Sequence, residues 1–200
     1  GAESSRRRAS GRRAAARGAD LEHAIDLTFE EALHGTTRDV ALTGGESPTS
    51  REVVRFRVPP GVADGQRIRV REKGHDGPGG RGDLMILCRV RPHAYFRRDG
   101  RDIFLDLPLT FAEATLGARI EIPTPDGATV IKVPPGTGSG TKLRLRGRGV
   151  RGGPTGEPGD MYAVVRIAPP TELSPRAREL LELLDRELHE RPRENLGWPT

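Results

Sequence analysis

From Leu21 the chain alternates in polarity, with Leu21, His23, Ile25 and Leu27 on one side and Glu22, Ala24, Asp26 and Thr28 on the other. A period of two predicts a half-buried strand. Phe29–Leu33 then predicts a short helical turn, ended by Gly35, which can take a positive φ. Further strands are predicted over Arg38–Leu42, Val53–Val58 and Arg67–Glu72. Another follows in which Leu84, Ile86, Cys88 and Val90 share a face. Pro59-Pro60 stops the third strand because proline cannot donate to a ladder. Gly44–Ser50 and His75–Gly82 read as loops.

The same order then recurs. Ile103, Leu105 and Leu107 open a second unit, Phe111–Leu116 forms its helix, and Gly117 ends that helix. Strands follow over Arg119–Ile122, Thr129–Val133, Lys142–Arg146 and Met161–Ile167. The recurrence extends to residue identity. Val58-Pro59-Pro60-Gly61 is answered 75 positions later by Val133-Pro134-Pro135-Gly136, and Gly82-Asp83-Leu84 by Gly159-Asp160-Met161. Two copies this long predict two tandem domains of one all-β fold, each with a short helix, rather than a solenoid.

After Pro169-Pro170 the period changes. Ser174 suits a helix N-cap and Pro175 the first helical position. Ala177, Leu180, Leu181, Leu184 and Leu188 then fall on one helical face, and Pro192 is the expected stop. A helix of roughly 17 residues is marginal alone in water. Its leucine stripe must therefore fold back on the second domain or pair with another chain.

Composition narrows the picture. With 4% aromatic residues the core must rest on Leu, Val and Ile. The 26 glycines and 17 prolines punctuate short strands. A single cysteine, Cys88, rules out an internal disulfide framework and a cysteine-rich zinc site, and fits a cytoplasmic setting. No apolar run approaches the roughly 18 residues of a membrane span, so no membrane partner is expected. Six arginines within residues 1–20, set against Glu3 and Asp20, carry most of the net charge of +5. Residues 1–19 read as an Arg/Gly/Ser linker without a fixed fold.

Most tempting motifs fail on context. Gly147-Arg148-Gly149-Val150-Arg151-Gly152 spells a dinucleotide fingerprint, but Gly153-Pro154 follows where a helix must start. Arg81-Gly82-Asp83 resembles an adhesion tripeptide, yet the recurrence of Gly-Asp at Gly159-Asp160 marks a structural turn. His75 and His93 have no nucleophile or ligand set beside them. Cys88 alternates with core residues. No enzymatic activity, metal or cofactor is expected. Arg67, Arg69, Arg71, Lys142, Arg144 and Arg146 put positive charge on strand faces, open either to phosphates or to neighbouring carboxylates. Leu27 and Phe29 could meet Val40 and Leu42, giving either ordinary core or a short apolar trough beside a free strand edge.

The Pro-Pro-Gly turns, the Gly82-Asp83-Leu84 strand start, Pro92-His93-Ala94-Tyr95-Phe96-Arg97-Arg98-Asp99-Gly100 and Leu107-Pro108-Leu109-Thr110-Phe111-Ala112-Glu113-Ala114 are specific in combination. Over about residues 20–190 the chain resembles the C-terminal substrate-binding region of Hsp40 (DnaJ-type) co-chaperones. The resemblance implies two β-sandwich-like domains, with a peptide groove in the first at Leu27, Phe29, Val40 and Leu42 and with Arg38 and Phe96 at its rim. It implies a dimerisation helix using Leu180, Leu181, Leu184 and Leu188. The expected divisions are a linker (1–19), domain I (20–96), domain II (97–172), the dimerisation helix (173–191) and a tail (192–200). The J domain is absent, so the chain is expected to be a fragment that does not stimulate an Hsp70 ATPase by itself. The zinc-binding Cys-x-x-Cys repeats are absent too, with the short Thr43–Glu52 loop in their place, as in the zinc-free, curved-DNA-binding class.

The function this implies is capture of unfolded polypeptides and their delivery to an Hsp70 (DnaK-type) partner by a homodimer. The rival is nonspecific or curved-DNA binding through the basic tail and strands.

Overall fold

The computed structural model describes residues 16–43, 51–152, 156–189 and 193. Domain I opens with β1 (Leu21–Leu27), α1 (Phe29–His34), β2 (Thr36–Thr43) and β3 (Arg51–Val58), then β4 (Arg67–Val70) and β5 (Leu84–Val90). Domain II comprises β6 (Phe96–Asp99), β7 (Asp102–Leu109), α2 (Phe111–Leu116), β8 (Ala118–Thr124), β9 (Gly127–Val133), β10 (Lys142–Leu145) and β11 (Met161–Ile167). The C-terminal helix α3 spans Pro175–Leu188. The chain is all-β with short helices and one terminal helix.

Each domain pairs a hairpin with a mixed sheet. In domain I, β2 and β3 form the hairpin and the sheet runs β1-β5-β4. β1 lies parallel to β5, with Leu21 opposite Leu84 and Leu27 opposite Val90. In domain II, β8 and β9 form the hairpin and the sheet runs β10-β11-β7-β6. β7 lies parallel to β11, the same arrangement with one added strand. That strand, β6, escapes the polarity reading because Phe96-Arg97-Arg98-Asp99 carries three charges. Its signal is Asp99-Gly100, a favoured hairpin turn in which Gly100 takes φ 58°.

The repeated residues explain the repeated geometry. Thr28 and Thr110 cap the two short helices, and Glu31 and Glu113 close each capping box. Gly35 and Gly117 end the helices at φ 75° and 80°, where a side chain would also strike the Val58 or Val133 carbonyl. Each Pro-Pro-Gly turn folds onto its helix end. Gly61 N–H donates to Ala32 O at 2.8 Å, and Gly136 N–H to Thr115 O at 3.0 Å. Each Gly-Asp turn buries a staple. The Asp83 carboxylate accepts from Glu72 N–H at 2.9 Å, and that of Asp160 from Gly147 N–H at 2.8 Å. Asp20 and Asp102 in turn accept from the backbone N–H groups of Asp83 and Asp160. Asp83 is 1% exposed, so Arg81-Gly82-Asp83 is a turn and not a presented tripeptide.

Residues 16–19, inside the stretch read as linker, lie along the loop after β4. Gly18 N–H donates to Gly80 O, His75 N–H to Ala19 O, and Arg17 pairs with Asp83. Residues 1–15, most of the Thr43–Glu52 loop, Pro192 and the tail expected over 192–200 apart from Arg193 fall outside the described residues. The α3 N-cap is Ser174 with Pro175 at the first position, and the helix ends at His189 in the left-handed region.

Candidate functional site

The described structure separates the residues expected to form one groove. Leu27, Val40 and Leu42 meet in the domain I core with Val54, Phe56 and Ile86. Leu27 is fully buried, and Val40 and Leu42 are 5% and 6% exposed. Their faces meet as the polarity pattern required, but as a closed layer between hairpin and sheet. Phe29 and Phe96 belong instead to the larger cluster that contains the domain II core. Phe29 and Phe96 thus pack in a different cluster from Leu27, Val40 and Leu42. The cause is α1, which turns the chain after Thr28 and points Phe29 toward the connector.

That connector is aromatic. Phe96 lies 5.7 Å from Phe29, and His93 stacks on Phe96 at 4.8 Å. His93 Nδ1 accepts from the N–H groups of Tyr95 and Phe96, at 3.1 and 3.2 Å. Nε2 therefore carries the proton and faces Glu30 at 3.1 Å. His93, isolated in the sequence, is a structural bracket between the domains.

Arg38 sits on β2 at the edge of the hairpin, its guanidinium 2.5 Å from Glu31. Glu31 also accepts from Thr28 N–H, which, with Arg38, holds its carboxyl below the usual range. Among the described residues β2 pairs only with β3, so none of them pairs with its other edge. Glu52, near the start of β3, is held by Lys73 and by Arg81 at 3.0 Å. An open edge carries a row of unpaired backbone donors and acceptors that an extended peptide can complete.

Three of the six cations expected on the strand faces pair with carboxylates. Arg69 pairs with Asp83, Arg144 with Asp160 at 2.5 Å and Arg67 with Glu22 at 3.7 Å. Cys88 is buried, and burial pushes its thiol up from its ordinary value. Among the described residues no group of three or more metal-ligating side chains occurs, and no helix is long and apolar enough to cross a membrane.

α3 carries the plainest unsatisfied surface. None of its described residues is buried. Leu180, Leu181, Leu184 and Leu188 are 38–50% exposed, and Leu183 widens the stripe on one flank. Of the two arrangements open to this helix, folding back on domain II is not the one observed.

The family model for the DnaJ C terminal domain matches residues 21–170. A protein named "Chaperone protein DnaJ" from Geobacillus thermodenitrificans is 34% identical over 91% of this chain and 65% of its own length. A "Curved DNA-binding protein" from Coxiella burnetii is 37% identical over 90% of this chain and 59% of its own. Another "Chaperone protein DnaJ", from Parageobacillus thermoglucosidasius, is 43% identical over 68% of this chain and 36% of its own. The chain thus spans about two thirds or less of these relatives. The first alignment runs over 250 positions, more than this chain's 200 residues, so that relative carries residues with no counterpart here.

Proposed function

The chain belongs to the DnaJ C-terminal domain family, and from that premise we propose that it is the client-holding part of an Hsp40 co-chaperone. Unfolded polypeptide segments add as an extra strand to the open edge of β2. Backbone hydrogen bonds supply sequence-tolerant affinity, as a chaperone for many clients requires. Val40 and Leu42 lie in the closed layer that holds β2 in place, and Arg38 stands beside the edge. The open β2 edge over an apolar layer is the observation that carries this reading.

Dimerisation through α3 places two such edges on one client. Binding at each edge is weak and reversible, and a client spanning both gains avidity without new contacts. Release to an Hsp70 (DnaK-type) ATPase in the cytosol completes the proposed cycle, with the J domain supplied by a segment beyond this chain. The rival, DNA binding, draws on the name of the Coxiella relative and on the basic tail. It is the weaker reading here because Arg67, Arg69 and Arg144 on the strand faces are paired with carboxylates.

Hydrogen exchange with and without a saturating apolar, unfolded peptide tests the proposal. The expected result is new protection of amides along β2. Peptide binding with no added protection on β2 removes the strand-addition site. DNA binding that falls steeply with salt, without peptide binding, replaces the reading with its rival.

A further inference from the structure

Between the domains lies a cavity of about 710 Å³ that the β2 edge does not explain. Its apolar wall comes from Phe29, Ala32, Leu33, Val90, Pro92 and Phe96. That volume falls in the range of pockets that enclose a ligand side chain or small molecule, roughly 300–1,000 Å³. Its rim is cationic: Arg91, Arg97, Arg98 and Arg101 line it against one carboxylate, Asp64. Asp64 accepts from Val90 N–H at 2.8 Å, which fixes its position and leaves it one negative charge against four guanidinium groups.

The surrounding charges leave the rim positive. Arg91 pairs with Asp26 at 3.2 Å, and Glu30 faces His93. Arg97 pairs with Asp106 at 3.1 Å, but Arg166 shares that carboxylate at 3.7 Å. Arg101 donates to the Glu157 carbonyl. Arg98 is held by carbonyls, donating to Gly61 O at 2.8 Å, Val62 O at 2.7 Å and Gly100 O at 2.8 Å. Carbonyl dipoles fix its position without cancelling its charge. A half-buried guanidinium so placed favours an incoming carboxylate, because charge-assisted hydrogen bonds strengthen as water is excluded.

We propose that this junction is a second peptide site, selective for segments in which an apolar side chain is flanked by Asp or Glu. The apolar side chain enters between Phe29, Leu33 and Phe96, and the flanking carboxylates meet the arginine rim. The site is built from both domains, so only the intact tandem chain offers it.

The test is fluorescence anisotropy with three labelled peptides sharing one apolar centre and flanked by Asp/Glu, Ser or Lys. The acid-flanked peptide is expected to bind about tenfold more tightly than the lysine-flanked one at low salt, with the gap closing at high salt. Ala63 is exposed and lines the cavity, so Ala63→Trp fills it from the solvent side. This variant should abolish the gap and leave the serine-flanked peptide bound. Arg97→Glu should narrow the gap without closing the cavity. Equal affinity for the three peptides, or a gap that survives Ala63→Trp, overturns the proposal. Failure of the strand-addition reading shows separately, as absent β2 protection with the serine-flanked peptide.

Discussion

If α3 pairs two copies as proposed, replacing Leu181 and Leu184 together by Glu should give a monomer without weakening the fold. The two leucines are 43% and 38% exposed in the protomer, so a partner has about 40% of each left to cover. Complete burial of a leucine side chain contributes about 1.5–3 kcal/mol, so each should supply about 0.6–1.2 kcal/mol to association. Symmetry doubles the effect. Four altered positions per dimer give about 2.5–5 kcal/mol, or roughly two to three orders of magnitude in Kd. The new carboxylates join Glu179 and Glu182 on the helix and oppose association further. Sedimentation over a dilution series should show the dimer at concentrations where the variant is monomeric. The thermal midpoint of the monomeric variant should match that of the diluted parent, because no described α3 residue is buried against its own chain. A dimer that persists would move the interface elsewhere. A falling midpoint at matched monomer would mean that α3 packs on its own domain.

Phe29 and Phe111 occupy the same place in the two copies but are 6% and 46% exposed. Phe29→Ala should therefore cost about 3–4 kcal/mol in urea unfolding and Phe111→Ala only about 1–2, whereas equal costs would refute the bracket at His93 and Phe96. Val40→Glu places a carboxylate in the closed domain I layer. It should cost more than about 4 kcal/mol and lower the unfolding midpoint, and an unchanged midpoint would show that Val40 faces open solvent. Asp83 and Asp160 are held below the usual carboxylate range, chiefly by backbone N–H groups and then by Arg69 and Arg144. Their contribution is complete above the unfolded pKa of about 3.9 and is lost as pH falls through the lower folded values, so Asp83→Asn should flatten the acid limb of a melting-temperature profile. Glu72 takes φ 56° where the second copy has Gly147 at 66°. Glu72→Gly should stabilise by about 0.5–1 kcal/mol, because relief of left-handed strain exceeds glycine's added unfolded-state entropy; a destabilised variant would refute that balance.

The fold was largely legible because its determinants are local. Alternation located β1 and β5, Ser174-Pro175 marked the α3 start, and the repeated glycines marked turns whose positive φ is set by the chain itself. Gly82-Asp83 read as a structural turn because it occurred twice. The site was less legible. Alternation shows that Leu27, Val40 and Leu42 share a side, but not whether that side is roofed. Phe29 follows the capping residue Thr28, and its direction depends on α1 and on the distant His93 and Phe96. The arginine rim was invisible, since Arg91, Arg97, Arg98 and Arg101 converge only through the β5–β6 connection and the β6–β7 turn.

The duplication itself explains where function can reside. Residues that recur, such as the glycines at the helix ends, the capping threonines and the turn aspartates, hold each copy in shape and are bound to do the same work twice. Residues that do not recur make the copies different. His93 and Phe96 cover the helix of the first copy, while the matching surface of the second keeps Phe111 and Leu116 open, with Leu116 75% exposed. The segment after β5 runs on into β6 and builds a junction, whereas the segment after β11 runs into α3 and leaves a leucine face for another chain. Two equivalent exits from one fold thus give an internal interface in one case and, on the proposed reading, an intermolecular one in the other. Exchanging the exits should exchange these properties. A first domain ended after Val90 should expose Phe29 and bind more of an apolar dye than the same domain continued through Phe96, and if it does not, the connector is not what covers that face.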